Sequence, residues 1–133
     1  MVASLDDVRK ALSSGAAQVV DARPADRFEG RAPEPRAGLR SGHMPGALNL
    51  PFVEIVEHGH LKTGAELASA LAAHGVDLKK PVITSCGSGV TAAILAVAVE
   101  EAGGTVAGLY DGSWAEWGGR ADCAVATGPA RKG

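Results

Sequence analysis

One stretch constrains the fold more than any other. Pro81-Val82-Ile83-Thr84-Ser85 is an apolar, β-branched run of high strand propensity. Cys86-Gly87-Ser88-Gly89-Val90 follows, and then Thr91 to Ala102 form an Ala-rich apolar helix ended by Gly103-Gly104. Thr105 to Tyr110 read as another strand. A strand, a helix of this length and a second strand make a right-handed crossover between parallel neighbours. The rest of the chain repeats the alternation. Ser4 caps a helix over residues 5–12, with Asp7 completing a capping box and Gly15 closing it. Gln18 to Ala22 and Ala47 to Leu50 are strand candidates, Phe52 to His60 a helical turn or short helix, and Gly64 to His74 a helix with Leu67 and Leu71 inward. The expectation is an α/β domain with a mainly parallel central sheet of about five strands and helices on both faces. In such sheets ligands bind beyond the carboxyl ends of the strands.

Composition excludes several classes. The 133 residues are 46% hydrophobic and 21% charged, with 13 Lys and Arg against 15 Asp and Glu. A normal apolar fraction argues against disorder, and the absence of basic excess argues against a nucleic-acid binder. No apolar run approaches the ~20 residues of a membrane helix, and the first ten residues lack the apolar core of a signal peptide. The expectation is a soluble protein, most simply cytoplasmic, with no membrane partner. The two cysteines, Cys86 and Cys123, form no CxxC, and no HExxH or Cys/His cluster suggests a metal. No cofactor is expected.

Arg23 to Gly46 holds four Pro, five Arg and four Gly. It reads as neither ordinary helix nor strand, and so long an irregular segment in a compact domain is usually functional. After the last strand a Trp-containing turn and a Gly-rich loop are expected. The domain is placed at 4–125 and a flexible tail at 126–133.

Cys86 carries the sharpest chemical signal. At a strand's carboxyl end and before a helix N-terminus, it faces unpaired backbone N–H groups and the positive end of the helix dipole. Both favour the thiolate, the nucleophilic form. Gly87 and Gly89 let successive N–H groups converge into an anion-binding nest. The plainer reading of any lone cysteine is a small buried hydrophobe. A cysteine phosphatase would need arginine six residues on, where Ala92 stands.

Cys86-Gly87-Ser88-Gly89-Val90-Thr91-Ala92 resembles the active-site loop of the rhodanese superfamily, in the form found in its 3-mercaptopyruvate sulfurtransferases. Val19 to Arg23, Arg27-Phe28 with Pro33-Glu34-Pro35-Arg36, Gly42-His43-Met44-Pro45-Gly46-Ala47, and Asp111-Gly112-Ser113-Trp114-Ala115-Glu116-Trp117 resemble further family segments in the same order. The resemblance covers about residues 4–120 and implies a rhodanese-like single domain. It implies transfer of a sulfane sulfur from 3-mercaptopyruvate, giving pyruvate, to a thiol or cyanide through a Cys86 persulfide. Thiosulfate sulfurtransferase activity, or a persulfide-carrier module with little activity on its own, is the alternative. An inert scaffold is the third reading.

By the same resemblance Cys86 and Ser88 are catalytic, and Arg27 and Arg36 grip the substrate carboxylate and carbonyl. Gly87, Gly89, Val90 and Thr91 are further substrate-binding positions, Thr91 also capping the helix. The partners implied are a small-molecule donor and a thiol acceptor such as thioredoxin or a small thiol. The resemblance is to the second of two domains, so a missing N-terminal rhodanese domain, or a homodimer, is expected to cover the site. His43 is read as locking its turn and Asp21 as bracing the strand ends with Arg23. His58, His60 and His74 are read as solvated. Trp117 is assigned to packing, Trp114 either to packing or to the pocket wall, and Cys123 to no redox role with Cys86.

Overall fold

The computed structural model describes residues 2–87 and 90–130. Five strands form the central sheet: β1 (Val2–Ala3), β2 (Gln18–Asp21), β3 (Leu48–Asn49), β6 (Val82–Ser85) and β7 (Val106–Tyr110). Their order is β1-β7-β6-β2-β3, and every pairing is parallel. Between β3 and β6 the chain makes a 3₁₀ turn (Phe52–Glu54) and a two-stranded antiparallel ribbon, β4 (Val56–Glu57) with β5 (His60–Leu61). The helices are α1 (Leu5–Ser14), α2 (Ala25–Phe28), α3 (Gly64–Ala73), α4 (Val90–Glu101) and α5 (Ser113–Trp117).

Successive strand residues face opposite sides, so neighbours such as Val19 and Val20, or Ile83 and Val82, feed two different cores. On one face Val20 and Val82 pack with Leu67 and Leu71 of α3 and Leu95 and Val99 of α4, all fully buried or nearly so. On the other, Val19 and Ile83 pack with Val8 of α1, Phe28 of α2 and Trp114 and Trp117 of α5. Each fully buried Leu or Val contributes about 1.5–3 kcal/mol relative to exposure. The expected layering with helices on both faces is the one observed.

The α1 start is the expected capping box. Asp7 N–H donates to Ser4 Oγ at 3.1 Å, Ser4 N–H donates to Asp7 Oδ2 at 2.9 Å, and Gly15 closes the helix at φ 73°. α3 has the same device in Thr63 and Glu66.

Five features differ from the sequence reading. β1 adds an edge strand to β7 with Ala3 opposite Tyr110. The Phe52–His60 segment is a 3₁₀ turn followed by the β4–β5 ribbon rather than one helical piece. The Arg23–Gly46 stretch contains α2, begun by Pro24, whose fixed φ suits a helix start. The Trp-containing turn is a helix, α5. The tail expected from 126 is docked as far as 130: His43 and Ala126 exchange backbone bonds of 2.9 and 2.8 Å, and Gly128 N–H donates to Glu29 at 2.8 Å. Residues 131–133 lie outside the described residues.

His74 also departs from expectation. Its Nε2 lies 2.8 Å from Glu54 Oε1, tying the end of α3 to the 3₁₀ turn. The side chain is half-buried against that turn rather than free in solvent. Among the described residues, no helix is long and apolar enough to cross a membrane.

Candidate active site

The carboxyl ends of the central strands converge in register. Asp21 lies opposite both Ser85 and Asn49. The chain leaves β6 at Cys86, which is 1% exposed. Its backbone is held by the start of α5: Trp114 N–H donates to the Cys86 carbonyl at 2.8 Å, and Ala115 N–H to that of Gly87 at 3.0 Å. Cys86 N–H points at Ser113 Oγ, 3.4 Å away, and Cys86 Sγ lies 3.9 Å from the same oxygen. The α4 helix begins at Val90, so the cysteine sits at a strand-to-helix junction as expected.

Beside it opens a cavity of about 230 Å³ lined by Gly87, Thr91, Arg27, Arg36, Glu34, Pro35 and Leu39. Both arginines expected to grip an anion therefore share one space with the cysteine loop. α2 carries Arg27, and a Cβ built on Gly87 would stand 3.9 Å from its Nη2. Arg27 Nε is buried and, among the described residues, has no hydrogen-bond partner. Arg27 and Thr91 also face a second hollow of about 240 Å³ walled by Pro51, Phe52 and Val53. Of the remaining expected site residues, Ser88 and Gly89 lie outside the described residues, as does the side chain of Val90.

What holds the arginine-bearing loop is Arg23, which the sequence offered only as a partner for Asp21. Its side chain is fully buried. Nε meets Asp21 Oδ2 at 2.9 Å, Nη1 meets Glu34 Oε2 at 3.2 Å, and Nη2 donates to the Gly42 carbonyl at 2.7 Å. Its guanidinium carbon stands 4.4 Å from the Trp114 ring centroid, a cation–π contact. One side chain thus joins β2, the loop between Pro33 and Gly42, and α5. Glu34 was legible as part of a motif, but its burial beside Arg23 was not.

Trp114 belongs to this packing, fully buried under Arg23, with Nε1–H donating to the Arg40 carbonyl at 2.9 Å. Trp117 packs as expected, its Nε1–H donating to Ala124. Arg40 in turn donates to the carbonyls of Trp117, Gly118 and Cys123, so it staples the loop after α5. His43 is structural. Its ring stacks on Phe28 at 3.9 Å and 4°, and Nδ1 is 2.8 Å from the Phe28 carbonyl. Burial holds its pKa below the ordinary value, against the opposing pull of that carbonyl. Tyr110 is pushed upward, first by burial and then by its 2.6 Å bond to Glu116. Cys123 is buried against α1, with Arg9 Nη2 3.4 Å from its sulfur.

The arrangement places two arginines and Gly87, the neighbour of the buried cysteine, on one cavity of about 230 Å³. Among the described residues, no cluster of three or more His, Cys, Asp or Glu is placed to hold a metal ion. The family model for the rhodanese-like domain matches residues 4–120. The 3-mercaptopyruvate sulfurtransferase of Escherichia coli (strain K12) is 50% identical over 93% of this chain, which covers 44% of that protein. A thiosulfate/3-mercaptopyruvate sulfurtransferase of Arabidopsis thaliana, a mitochondrial protein by name, is 42% identical over 88% of this chain and 31% of its own length. Among solved structures, the sulfur transferase subunit of yeast mitochondrial complex I superposes with a TM-score of 0.84 at 41% identity, over 96% of this chain and 46% of that one. The chain spans less than half the length of these relatives. Sheet order, the cysteine at the β6–α4 junction and the extent of the family match agree: the chain belongs to the rhodanese-like domain family.

Proposed function

We propose that this protein is a sulfurtransferase that carries sulfur as a persulfide on Cys86, with 3-mercaptopyruvate as donor. The observation that carries the reading is the shared cavity, which Arg27 and Arg36 line together with Gly87, the residue that follows Cys86. The names of relatives at 42–50% identity support the reaction class.

Two guanidinium forks match a carboxylate and its neighbouring carbonyl, and they orient the donor's sulfur toward the cysteine. Cys86 thiolate attacks that sulfur. The carbon–sulfur bond breaks, its electron pair passes to carbon, and the resulting enolate takes a proton and leaves as pyruvate. An acceptor thiolate then attacks the outer sulfur, takes it as a persulfide and returns Cys86 as thiolate. Ser88 is assigned to proton handling at the leaving fragment. The side chains after Cys86 carry no charge, which suits a monocarboxylate better than the compact dianion thiosulfate, although one relative's name includes both donors. The acceptor is a small thiol or a thioredoxin-like protein thiol.

The span of less than half the relatives' length favours a second reading. In it the domain receives sulfur from a partner and turns over little until an N-terminal rhodanese domain, or a second copy, covers the cleft. Steady-state rates of pyruvate release with cyanide as acceptor separate the two. The proposal requires parallel double-reciprocal lines, the mark of two half-reactions, and no rate in Cys86→Ser. Intersecting lines, or pyruvate release surviving in the variant, overturn it.

A further inference from the structure

Ser113 is the most unusual residue beside the cysteine. It is fully buried, yet its φ is 52°, in the left-handed region that a serine seldom occupies. Such a conformation persists only where the surroundings enforce it, and it gathers at functional sites. Here it aims one hydroxyl at three partners. Oγ–H donates to the Tyr110 carbonyl at 2.8 Å, while Oγ faces Cys86 N–H at 3.4 Å and Cys86 Sγ at 3.9 Å.

The hydroxyl has one proton to give. When Cys86 is a thiol, S–H donates to Ser113 Oγ, and the serine proton stays on Tyr110. When the thiol proton has gone to solvent, sulfur becomes an anionic acceptor. A hydrogen bond to an ionised acceptor is roughly twice as strong as one between neutral groups. Rotation of the hydroxyl from the Tyr110 carbonyl to sulfur is then favoured, and Oγ needs only to turn about Cβ–Oγ. The 3.9 Å separation is long, but it is within reach of the larger sulfur atom.

We propose that Ser113 is a positioning residue for Cys86, whose hydroxyl switches from the Tyr110 carbonyl to the sulfur when that sulfur becomes an anion. The inference rests on Cys86 being the nucleophile, and its test does not need a sulfur donor.

The test is a pH titration of the ultraviolet thiolate absorbance of Cys86, taken as the difference from Cys86→Ala so that Cys123 cancels. Ser113→Gly and Ser113→Ala both remove the hydroxyl, but only glycine accepts φ 52° without strain. If the hydroxyl matters, the titration moves up by about one pH unit in both, the size expected of one hydrogen bond to a charged group. If Ser113 only shapes the backbone, Ser113→Gly titrates as the parent does, and the proposal falls. Ser113→Gly decides the matter even where Ser113→Ala fails to fold. Sulfur uptake by the parent is measured alongside. Its absence would count against the function while leaving the titration shift readable.

Discussion

Replacing Arg23 by methionine keeps most of the volume over Trp114 and removes the charge between Asp21 and Glu34. The two carboxylate side chains are each about 2% exposed and would face one another without a cation. Breaking a buried ion pair by deleting one partner typically costs about 3–5 kcal/mol, because the remaining charge stays desolvated. Here one deletion strands two carboxylates and also frees the Gly42 carbonyl. We therefore expect at least ~3 kcal/mol from Arg23→Met, a large share of the ~5–15 kcal/mol available to a domain. Urea unfolding followed by circular dichroism measures it. With a slope near ~1.5 kcal/mol per molar, the midpoint falls by about 2 M. The triple variant Arg23→Met, Asp21→Asn, Glu34→Gln recovers part of the loss, since no charge is left buried. A midpoint shift below ~0.5 M would refute the view that this cluster holds the arginine-bearing loop.

Three further outcomes follow from the same geometry. Arg27→Ala and Arg36→Ala each lower kcat/KM for 3-mercaptopyruvate by about 10–100-fold, the worth of a charge-assisted fork, and lysine restores neither fully; unchanged kinetics in both would remove them from the donor site. Burial keeps the folded His43 pKa below its ordinary 6.5, so on acidification the unfolded chain takes the proton first and stability falls as pH drops below about 6.5. His43→Phe keeps the stack on Phe28 and flattens that fall between pH ~7 and ~5 in urea unfolding; an identical slope would contradict the assignment. Gly42 sits at φ 129°, and an added Cβ would meet the Ala126 carbonyl oxygen and Val125 Cγ1, so Gly42→Ala loosens the 126–130 segment and exposes it to limited proteolysis, where a parent-like digestion pattern would argue otherwise.

The elements legible in the sequence were those with strong local physics. The β6–Cys86–α4–β7 unit, α1, α3 and the strand ending at Asp21 follow from β-branched runs, the Ser4–Asp7 capping box, apolar spacing and terminal glycines. The elements that were not legible draw their stability from elsewhere. β1 is two residues long and exists because Leu109 and Tyr110 offer it an edge. α2 is four residues inside a Pro- and Gly-rich loop, and α5 hangs on Trp114 and Trp117 docking against the sheet. At the site, Cys86, Arg27 and Arg36 were readable from motif and charge. Arg23 and Ser113 were not, because their importance lies in burial and in partners 19 and 27 residues away, which no local pattern encodes.

The central claim is that Cys86 takes sulfur from a small donor within this domain alone. Intact mass after brief incubation with 3-mercaptopyruvate, beside thiosulfate and with Cys86→Ser as control, tests it most directly. The expected result is a gain of one sulfur atom from 3-mercaptopyruvate that disappears in the variant. No gain from either donor, or a gain that survives in Cys86→Ser, would contradict it.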